Sequence, residues 1–276
     1  MSCFSSISYY GDEDNIFVFG LDSFDFINEN IKSILYPKPN TPHKLIKKLN
    51  IQEKTNIFYI KNEKSKIRTS VCEIYPKFQN NSIKKILIFS HGNGCDILTF
   101  YQYLKYLANN LNVIVVSYDY PTYGLSQGEL NEFTCYQALN DVVSHYLKFT
   151  NQILLVGQSL GTGIVIDYVG KNVWSNPIIL ISPYKSIPKV LVDIDFIDYL
   201  ICKNKFDSEN KISKPTCPIK FFHGKIDNLI SHTHTLDLFN LIQNKKFKPT
   251  LFENTNHNDI LDKIKLDEYR EILEFL

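Results

Sequence analysis

The 276-residue sequence predicts one α/β domain, built on a mostly parallel central sheet with helices on both faces. From residue 85 onward, short apolar segments alternate with longer segments of helical spacing, which is the pattern of repeated strand–helix units. The apolar segments are continuous runs, as expected for strands that are covered on both faces. The length is ample for a sizeable core.

Residues 1–50 are predicted to form an N-terminal extension, followed by the domain itself over residues 51–276. The extension contains a proline-rich linker at 36–42, because each proline disfavours helix at its own position and at the preceding one. Residues 56–60 and 67–74 are predicted strands of a hairpin around a polar turn. The alternation is interrupted at about 184–215, which predicts a short cap over the site.

The alternating part of the chain contains six predicted strands, whose apolar and β-branched residues favour extended structure. They cover residues 85–90, 113–118, 152–156, 177–182, 219–223 and 249–253. Between and after them, apolar residues at helical spacing predict helices; Phe100, Leu104 and Leu107, for example, share one stripe. These helices cover residues 98–111, 131–147, 160–169, 236–242 and 259–276.

Composition excludes several classes of function. The formal net charge is +1, so bulk electrostatics predict no nucleic-acid partner. The six cysteines form neither a CxxC pair nor a spaced Cys/His pattern, so we expect reduced thiols and no metal site. The first residues lack the features of a signal peptide, and no apolar stretch approaches the roughly 18 residues of a membrane span. We therefore expect a cytoplasmic protein.

The central motif, GQSLG at 157–161, lies between an apolar strand and a helical segment rich in Gly, Val and Ile. This strand–turn–helix setting is typical of a nucleophile elbow, and it predicts Ser159 as a catalytic nucleophile. Gly157 and Gly161 remove Cβ atoms that would clash in so sharp a turn. The amide of Leu160 then lies at a helix N-terminus, where it can stabilise an oxyanion. The alternative is a glycine-rich turn with an N-cap serine.

An oxyanion hole needs a second donor, and the sequence HGNG at 91–94 follows the strand that supplies it in this arrangement. The backbone amide of Asn93 is the predicted donor, with Gly94 as the alternative. An ordinary Asn-Gly turn would explain the same residues without a catalytic role. We expect His91 to be structural.

A serine hydroxyl is a weak nucleophile at neutral pH and needs a neighbouring base, which a third group must hold in place. After a nucleophile elbow the chain order is serine, acid, histidine. Of the seven histidines, His257 alone follows the last predicted strand, and it is the predicted base. Asp227 lies just beyond the strand at 219–223 and is the predicted acid.

Other carboxylates compete with Asp227 for the role of the acid. Asp119 closes the second strand of the alternating region, and we expect it to tie the loop beside the site. Asp259 is better placed to cap the final helix. Four more fall in the predicted cap: Asp193, Asp195, Asp198 and Asp207.

Six motifs occur in a fixed order: SHGNG at 90–94, YDYPTYGLSQG at 118–128, GQSLGT at 157–162, ISPY at 181–184, HGKIDNLI at 223–230 and HND at 257–259. Through them the chain resembles the α/β-hydrolase domain-containing protein 17 family of intracellular protein depalmitoylases. The resemblance implies the α/β-hydrolase fold and a thioesterase acting on S-acylated cysteines. It assigns the nucleophile to Ser159, the acid to Asp227 and the base to His257.

The sequence departs from that family at two places. The family has an acylated cysteine cluster at its N-terminus, whereas Cys3 stands alone here, and one lipid chain anchors weakly. Residue 2 is Ser, which excludes N-myristoylation. Pro121 and Thr122 replace a Ser-Gly pair of the family. We therefore expect at most weak peripheral contact with membranes.

The resulting hypothesis is a serine hydrolase that cleaves an ester or thioester through an acyl-enzyme, without metal or cofactor. Its substrate would be an acylated small molecule or an S-acylated protein, and the shortness of the cap is compatible with bulky substrates. A carboxylesterase or lipase, or a serine peptidase of the same fold, would use the same residues. A catalytically inactive hydrolase-fold binding protein is the remaining alternative, although all three catalytic positions are filled.

Overall fold

The structure, a computed structural model, describes residues 54–77, 85–191 and 205–276. The predicted extension at 1–50, its proline-rich linker and residues 192–204 of the predicted cap lie outside these ranges. So do three of the competing carboxylates, Asp193, Asp195 and Asp198.

A single sheet of eight strands organises the described residues. The strands are β1 (Thr55–Asn62), β2 (Ile67–Ile74), β3 (Ile86–Ser90), β4 (Ile114–Tyr118), β5 (Ile153–Gln158), β6 (Ile178–Ile181), β7 (Ile219–Gly224) and β8 (Thr250–Phe252). Their order across the sheet is β1-β2-β4-β3-β5-β6-β7-β8. The predicted hairpin, β1 and β2, is antiparallel, and β2 pairs with β4 in antiparallel register. The remaining six strands are mutually parallel and lie in the order β4-β3-β5-β6-β7-β8. The prediction of a mostly parallel sheet is confirmed.

Helices cover both faces of this sheet, as predicted. They are α1 (Ile97–Leu111), α2 (Glu132–Tyr146), α3 (Leu160–Lys171), α4 (Ile187–Leu191), α5 (Thr233–Leu241) and α6 (Leu266–Leu273). Helices α2, α3 and α5 contribute to one buried apolar cluster, and α1 and α6 contribute to the other.

Strand β5 shows why an unbroken apolar run suits this architecture. Successive side chains of a strand point to opposite faces. Ile153 and Leu155 therefore join the cluster under α2 and α3, whereas Leu154 and Val156 join the cluster under α1. All four are fully buried. Because both faces exclude water at these four positions, apolar side chains are favoured at each of them.

Local polar residues determine where two of the helices begin. Asp96 precedes α1 and accepts from the Thr99 amide at 2.9 Å, and Asn131 precedes α2 and accepts from the Thr134 amide at 2.9 Å. In both cases the threonine side chain also accepts from the amide of the capping residue, which completes a reciprocal cap. Asn112, in the left-handed region at φ 54°, ends α1.

The predicted helix at 259–276 is wrong as a single element. A short 3₁₀ turn (Ile260–Asp262) is followed by an extended residue, Lys265, and only then by α6. On one continuous helix Tyr269 would lie about 180° around the axis from Ile260, at about 100° per residue. Both side chains are fully buried in the same cluster. The break at Lys265 therefore lets both apolar sets face the sheet.

The predicted helix at 236–242 begins earlier in the structure, at Thr233. Its first turn contains the polar but buried residues His234 and Thr235. A search for apolar residues at helical spacing misses such a turn, because these side chains are buried through polar contacts.

Of the three glycines in helix α3, Gly161 and Gly170 lie in different surroundings, so the same substitution should have opposite effects on stability at these two positions. A Cβ at Gly161 would overlap the carbonyl oxygen of Ser90, whereas a Cβ at Gly170 would meet nothing closer than 3.5 Å. Replacing Gly161 with Ala should lower the free energy of unfolding by about 2 kcal/mol or more, because the backbones of β3 and α3 must separate. Gly170→Ala should raise it by up to about 1 kcal/mol, because alanine favours helix. Urea unfolding of both variants measures this, and equal effects would contradict the close contact at Gly161.

Candidate active site

Ser159 lies in a sharp turn between β5 and α3, at φ 50° and ψ −118°. A side chain with positive φ is strained, and such strain persists only where the surroundings enforce it. Here the Ser159 amide donates to the Ile181 carbonyl at 2.9 Å, and its carbonyl accepts from the Thr162 amide at 2.9 Å. A Cβ on Gly157 would lie 2.6 Å from the Gly161 carbonyl oxygen, so the turn also needs glycine before the serine.

The structure brings the three predicted residues of the candidate triad into contact. His257 Nε2 lies 3.0 Å from Ser159 Oγ, and His257 Nδ1 lies 2.7 Å from Asp227 Oδ2. Each of the three residues is at most 8% exposed. The side chains thus form one continuous hydrogen-bonded chain across 98 residues of sequence, with the hydroxyl at one end and the carboxylate at the other.

Asp227 and His257 stand on two neighbouring loops, one after β7 and one after β8. The amide of Lys225 donates to the Phe252 carbonyl at 2.8 Å, and the amide of Ile226 donates to the Thr255 carbonyl at 3.2 Å. A Cβ on Gly224 would overlap this Thr255 carbonyl oxygen. Glycine at the end of β7 therefore allows the acid and the imidazole to approach each other.

The carboxylate of Asp227 is surrounded by hydrogen-bond donors. Its Oδ1 accepts from the amides of Leu229 at 2.9 Å and Ile230 at 2.8 Å. Burial raises the pKa of Asp227, but hydrogen bonds from His223, His257 and the Ile230 amide outweigh burial and hold the pKa well below its usual range. The group is therefore an anion across the whole physiological pH range.

The two candidate oxyanion donors come from separate elements that the elbow packs together. Leu160 is the first residue of α3, so its amide has no acceptor within the helix. The loop 91–94 lies beside it, because Gly161 packs against the carbonyls of Ser90 and His91.

Tyr123 lies beside both alternatives in the loop 91–94, Asn93 and Gly94. Burial raises the pKa of the Tyr123 hydroxyl, and a hydrogen bond from the Gly94 amide opposes this rise. The same hydroxyl donates to Asn93 Oδ1 at 2.8 Å, which holds the loop in place through its side chain.

His91 and Asp119 form a buried support behind this loop. His91 Nδ1 contacts the Gly92 carbonyl at 2.8 Å, and the ring packs against Tyr120 with centroids 4.2 Å apart. Asp119 accepts from the Ile97 amide and from Ser70 Oγ, both at 2.9 Å. Neither residue contacts Ser159 or His257. Their contacts agree with the structural roles expected from the sequence.

Two more of the carboxylates that competed for the role of the acid, Asp259 and Asp207, also lie outside the candidate triad. Asp259 does not cap a helix through its side chain, which corrects the expectation; its Oδ1 accepts instead from the Asn256 amide at 2.6 Å, beside His257. Asp207 accepts from Asn210 on an exposed turn.

His223 is the contact that sequence reasoning missed. It precedes the acid by four residues at the end of β7, is fully buried, and places Nε2 3.3 Å from Asp227 Oδ2. The sequence contains the spacing His-Gly-x-x-Asp. However, the expected chain order of serine, acid and histidine gives no role to a histidine that precedes the acid. Its position beside the carboxylate depends on the turn at Gly224.

Several features bear on cofactors and location. In residues 54–77, 85–191 and 205–276, no group of three or more His, Cys, Asp or Glu side chains could hold a metal ion. Within the same ranges, no helix is both long and apolar enough to cross a bilayer. The four described cysteines, Cys72, Cys95, Cys135 and Cys217, are free thiols.

Known proteins are similar to this chain in sequence and in fold. It is 39% identical over 255 residues to the alpha/beta hydrolase L404 of Acanthamoeba polyphaga mimivirus, covering 90% of this chain and 94% of that protein. The chain belongs to the α/β-hydrolase family, and this membership supports hydrolase activity. No protein-family model matches the sequence.

The chain is also 32% identical over 184 residues to human alpha/beta hydrolase domain-containing protein 17B. This match covers 64% of the chain and 62% of the human protein, so it spans less than two thirds of that relative.

Solved structures show the same fold at low identity. Est1E from Butyrivibrio proteoclasticus, with ferulic acid bound, superposes with a TM-score of 0.64 at 18% identity, over 79% of this chain and 98% of that one. The esterase Pf2001 of Pyrococcus furiosus gives a TM-score of 0.62 at 16% identity, over 87% and 96%.

The buried support predicts an unusual pH dependence of stability. Burial raises the pKa of Asp119 from 3.8 to about 7 and lowers the pKa of His91 to about 4. Because the folded protein holds the Asp119 proton more tightly than the unfolded chain, the stabilisation from Asp119 grows as pH falls from 7 towards 4 and is lost as pH rises through 7. Although His91 Nε2 lies 3.7 Å from Asp119 Oδ1, the pKa of His91 at about 4 keeps the folded ring neutral above pH 5, so its opposite contribution to stability is the same in wild type and in Asp119→Asn.

We therefore compare the free energies of unfolding of wild type and Asp119→Asn. As the pH falls from 7 to 5, the value for wild type minus that for the variant should increase by on the order of 1 kcal/mol per pH unit. Urea unfolding of both proteins at pH 8, 7, 6 and 5 measures the difference. A difference that stays constant over this range would show that Asp119 is ionised in the folded protein at neutral pH.

Proposed function

We propose that this chain is a serine hydrolase that cleaves a carboxylic ester or thioester through an acyl-enzyme. The observation that carries the proposal is the continuous chain of hydrogen bonds from Asp227 through His257 to Ser159. Its order, its burial and its position at a strained strand–helix turn are those required for nucleophilic catalysis by serine.

The contacts of His257 define the tautomer of its neutral imidazole. Nδ1 faces the ionised carboxylate of Asp227, so Nδ1 carries the ring proton and Nε2 is left as an acceptor. The hydroxyl of Ser159 is the group that Nε2 accepts from. In the first step, Ser159 Oγ attacks the substrate carbonyl while its proton passes to Nε2, and Asp227 stabilises the resulting imidazolium.

The tetrahedral intermediate places a negative charge on the former carbonyl oxygen. The amides of Leu160 and Asn93 are the proposed donors to this oxygen, and the N-terminus of α3 adds a favourable dipole. Collapse of the intermediate expels the alcohol or thiol, which takes the proton from His257. Water then attacks the acyl-enzyme with the same base, which regenerates Ser159 and releases the carboxylic acid.

The substrate class is inferred from resemblance. The chain is 32% identical to the alpha/beta hydrolase domain-containing proteins 17B and 17C over part of their length. This similarity supports a thioester of an S-acylated protein cysteine as the substrate.

Thr122, where that family has glycine, adopts φ 71° beside Tyr123. The loop thus keeps a backbone conformation that favours glycine, although the residue has changed.

Covalent labelling tests the nucleophile directly. A fluorophosphonate probe should label the wild-type chain, and Ser159→Ala should abolish labelling, because the probe phosphonylates an activated serine. Ser182→Ala is the matched control: Ser182 also has positive φ, at the end of neighbouring β6, and its buried Oγ has no hydrogen-bond partner among the described residues. His257→Ala should lower turnover at least roughly 10³-fold. Equal labelling of wild type and Ser159→Ala would refute the proposal.

A substrate panel separates the possible acyl-transfer reactions. Wild type should hydrolyse a long-chain acyl-thioester peptide and a short carboxylic ester, and it should leave an unmodified peptide intact, because thiols and alcohols leave without prior protonation more readily than amines. Liquid chromatography of the products measures all three. Cleavage of the peptide bond alone would identify a peptidase, and labelling without turnover on any member would remove the thioester assignment.

A further inference from the structure

His223 is a fully buried histidine that the proposed acyl transfer does not use. It lies at the end of β7, and both ring nitrogens have partners: Nδ1 is 2.7 Å from Thr235 Oγ1, and Nε2 is 2.9 Å from the Ile230 carbonyl oxygen. Nε2 also lies 3.3 Å from Asp227 Oδ2. The ring therefore connects the first turn of α5 with the carboxylate of the candidate triad.

These partners determine which nitrogen of His223 bears the proton. Nε2 faces a carbonyl oxygen and a carboxylate oxygen, which are both acceptors, so Nε2 must donate. In the neutral imidazole Nδ1 is then an acceptor. The hydroxyl of Thr235 can donate, and it is the group at hydrogen-bonding distance from Nδ1. Thr235 is fully buried, so no water competes for this contact.

The carboxylate of Asp227 is thereby divided between two sets of donors. Oδ1 accepts from two backbone amides of its own loop, at Leu229 and Ile230. Oδ2 lies between two imidazoles, at 2.7 Å from His257 and at 3.3 Å from His223. Rotation of the carboxylate about its last bond would break contacts on both oxygens at once. The orientation of Oδ2 towards His257 depends on donors from both sides.

We propose that His223 is a positioning residue that holds the Asp227 carboxylate towards His257, and that the Thr235 hydroxyl orients His223 by fixing its tautomer. This inference rests on the proposed serine hydrolase function. His223 acts through Asp227 and does not touch the reacting atoms. The sequence of contacts is Thr235, His223, Asp227, His257 and Ser159.

Substitutions at position 223 separate a positioning role from simple packing. His223→Leu fills the space but removes the donor, and it should lower kcat about 10- to 100-fold with little change in KM, because the ring N–H that lies 3.3 Å from the charged carboxylate is lost. The acidic limb of the kcat/KM profile reports protonation of the base, and it should move to higher pH by about one unit, because a carboxylate that loses a competing donor stabilises the imidazolium of His257 more strongly. His223→Gln, whose amide can donate from a position near Nε2, should recover most of both effects.

Substitutions on α5 test the tautomer. Thr235→Val removes the donor to Nδ1 and keeps the shape of the side chain; it should lower kcat about 3- to 10-fold, since an unfixed ring orients the carboxylate less well. Thr233→Val is the matched control, because Thr233 lies exposed on the same turn and its hydroxyl contacts Ser231. Thr233→Val should leave kcat and the pH profile unchanged.

Nitrogen-15 NMR of the histidine rings gives a readout that needs no turnover. At neutral pH the wild-type His223 signals should show a protonated Nε2 and an unprotonated Nδ1. Thr235→Val should broaden or shift these signals, and Thr233→Val should leave them unchanged. A wild-type ring protonated at Nδ1 alone would overturn the inference even if the chain were inactive on every substrate tested.

The kinetic outcomes distinguish this inference from the proposed function. If wild type is not labelled by the fluorophosphonate, the proposed function fails, and the positioning role in catalysis falls with it. If wild type is active and folded His223→Leu keeps kcat within twofold, or His223→Gln is as impaired as His223→Leu, only the positioning role is overturned. If His223→Leu does not fold, a Thr235→Val variant with the activity and ring signals of wild type overturns it.

Discussion

The close approach of the N-terminus of α3 to the end of β3 is the constraint on which the rest of the site depends. Gly161 packs its backbone against the carbonyl of Ser90, and Gly157 packs against Gly161 in turn. With no Cβ at either position, the chain can turn within one residue and hold Ser159 at positive φ. The same contact places the loop 91–94 beside the first amide of α3. One packing interaction therefore positions the hydroxyl and both candidate oxyanion donors.

A second close approach, between the loops after β7 and β8, completes the site. Gly224 passes beside the Thr255 carbonyl, and backbone hydrogen bonds from Lys225 and Ile226 join the two loops. Since β7 and β8 are parallel neighbours, both loops leave the same edge of the sheet, where the elbow also lies. The rigid sheet sets the distances between loops, and the loops supply the chemistry.

Several polar groups are buried around these contacts. Asp119, His91 and Tyr123 support the loop 91–94, and His223 lies beside the carboxylate of Asp227. Each buried group is costly unless it is partnered, so these networks permit few alternative arrangements. Thr122 adds backbone strain at φ 71° to the same loop region. The site is thus held by polar contacts behind it as much as by the sheet below it.

The sequence by itself determined the architecture and the identity of the candidate triad. Continuous apolar runs specified strands buried on both faces, and the order of Ser159, Asp227 and His257 along those strands specified which side chains meet, because parallel strands end at one edge. Tertiary structure alone decided the break at Lys265, the hydrogen bond from Tyr123 to Asn93, and the place of His223 beside Asp227. Periodicity describes which way a side chain points along one element. Contacts between elements depend on how closely two backbones approach, and no single segment of the chain encodes that distance.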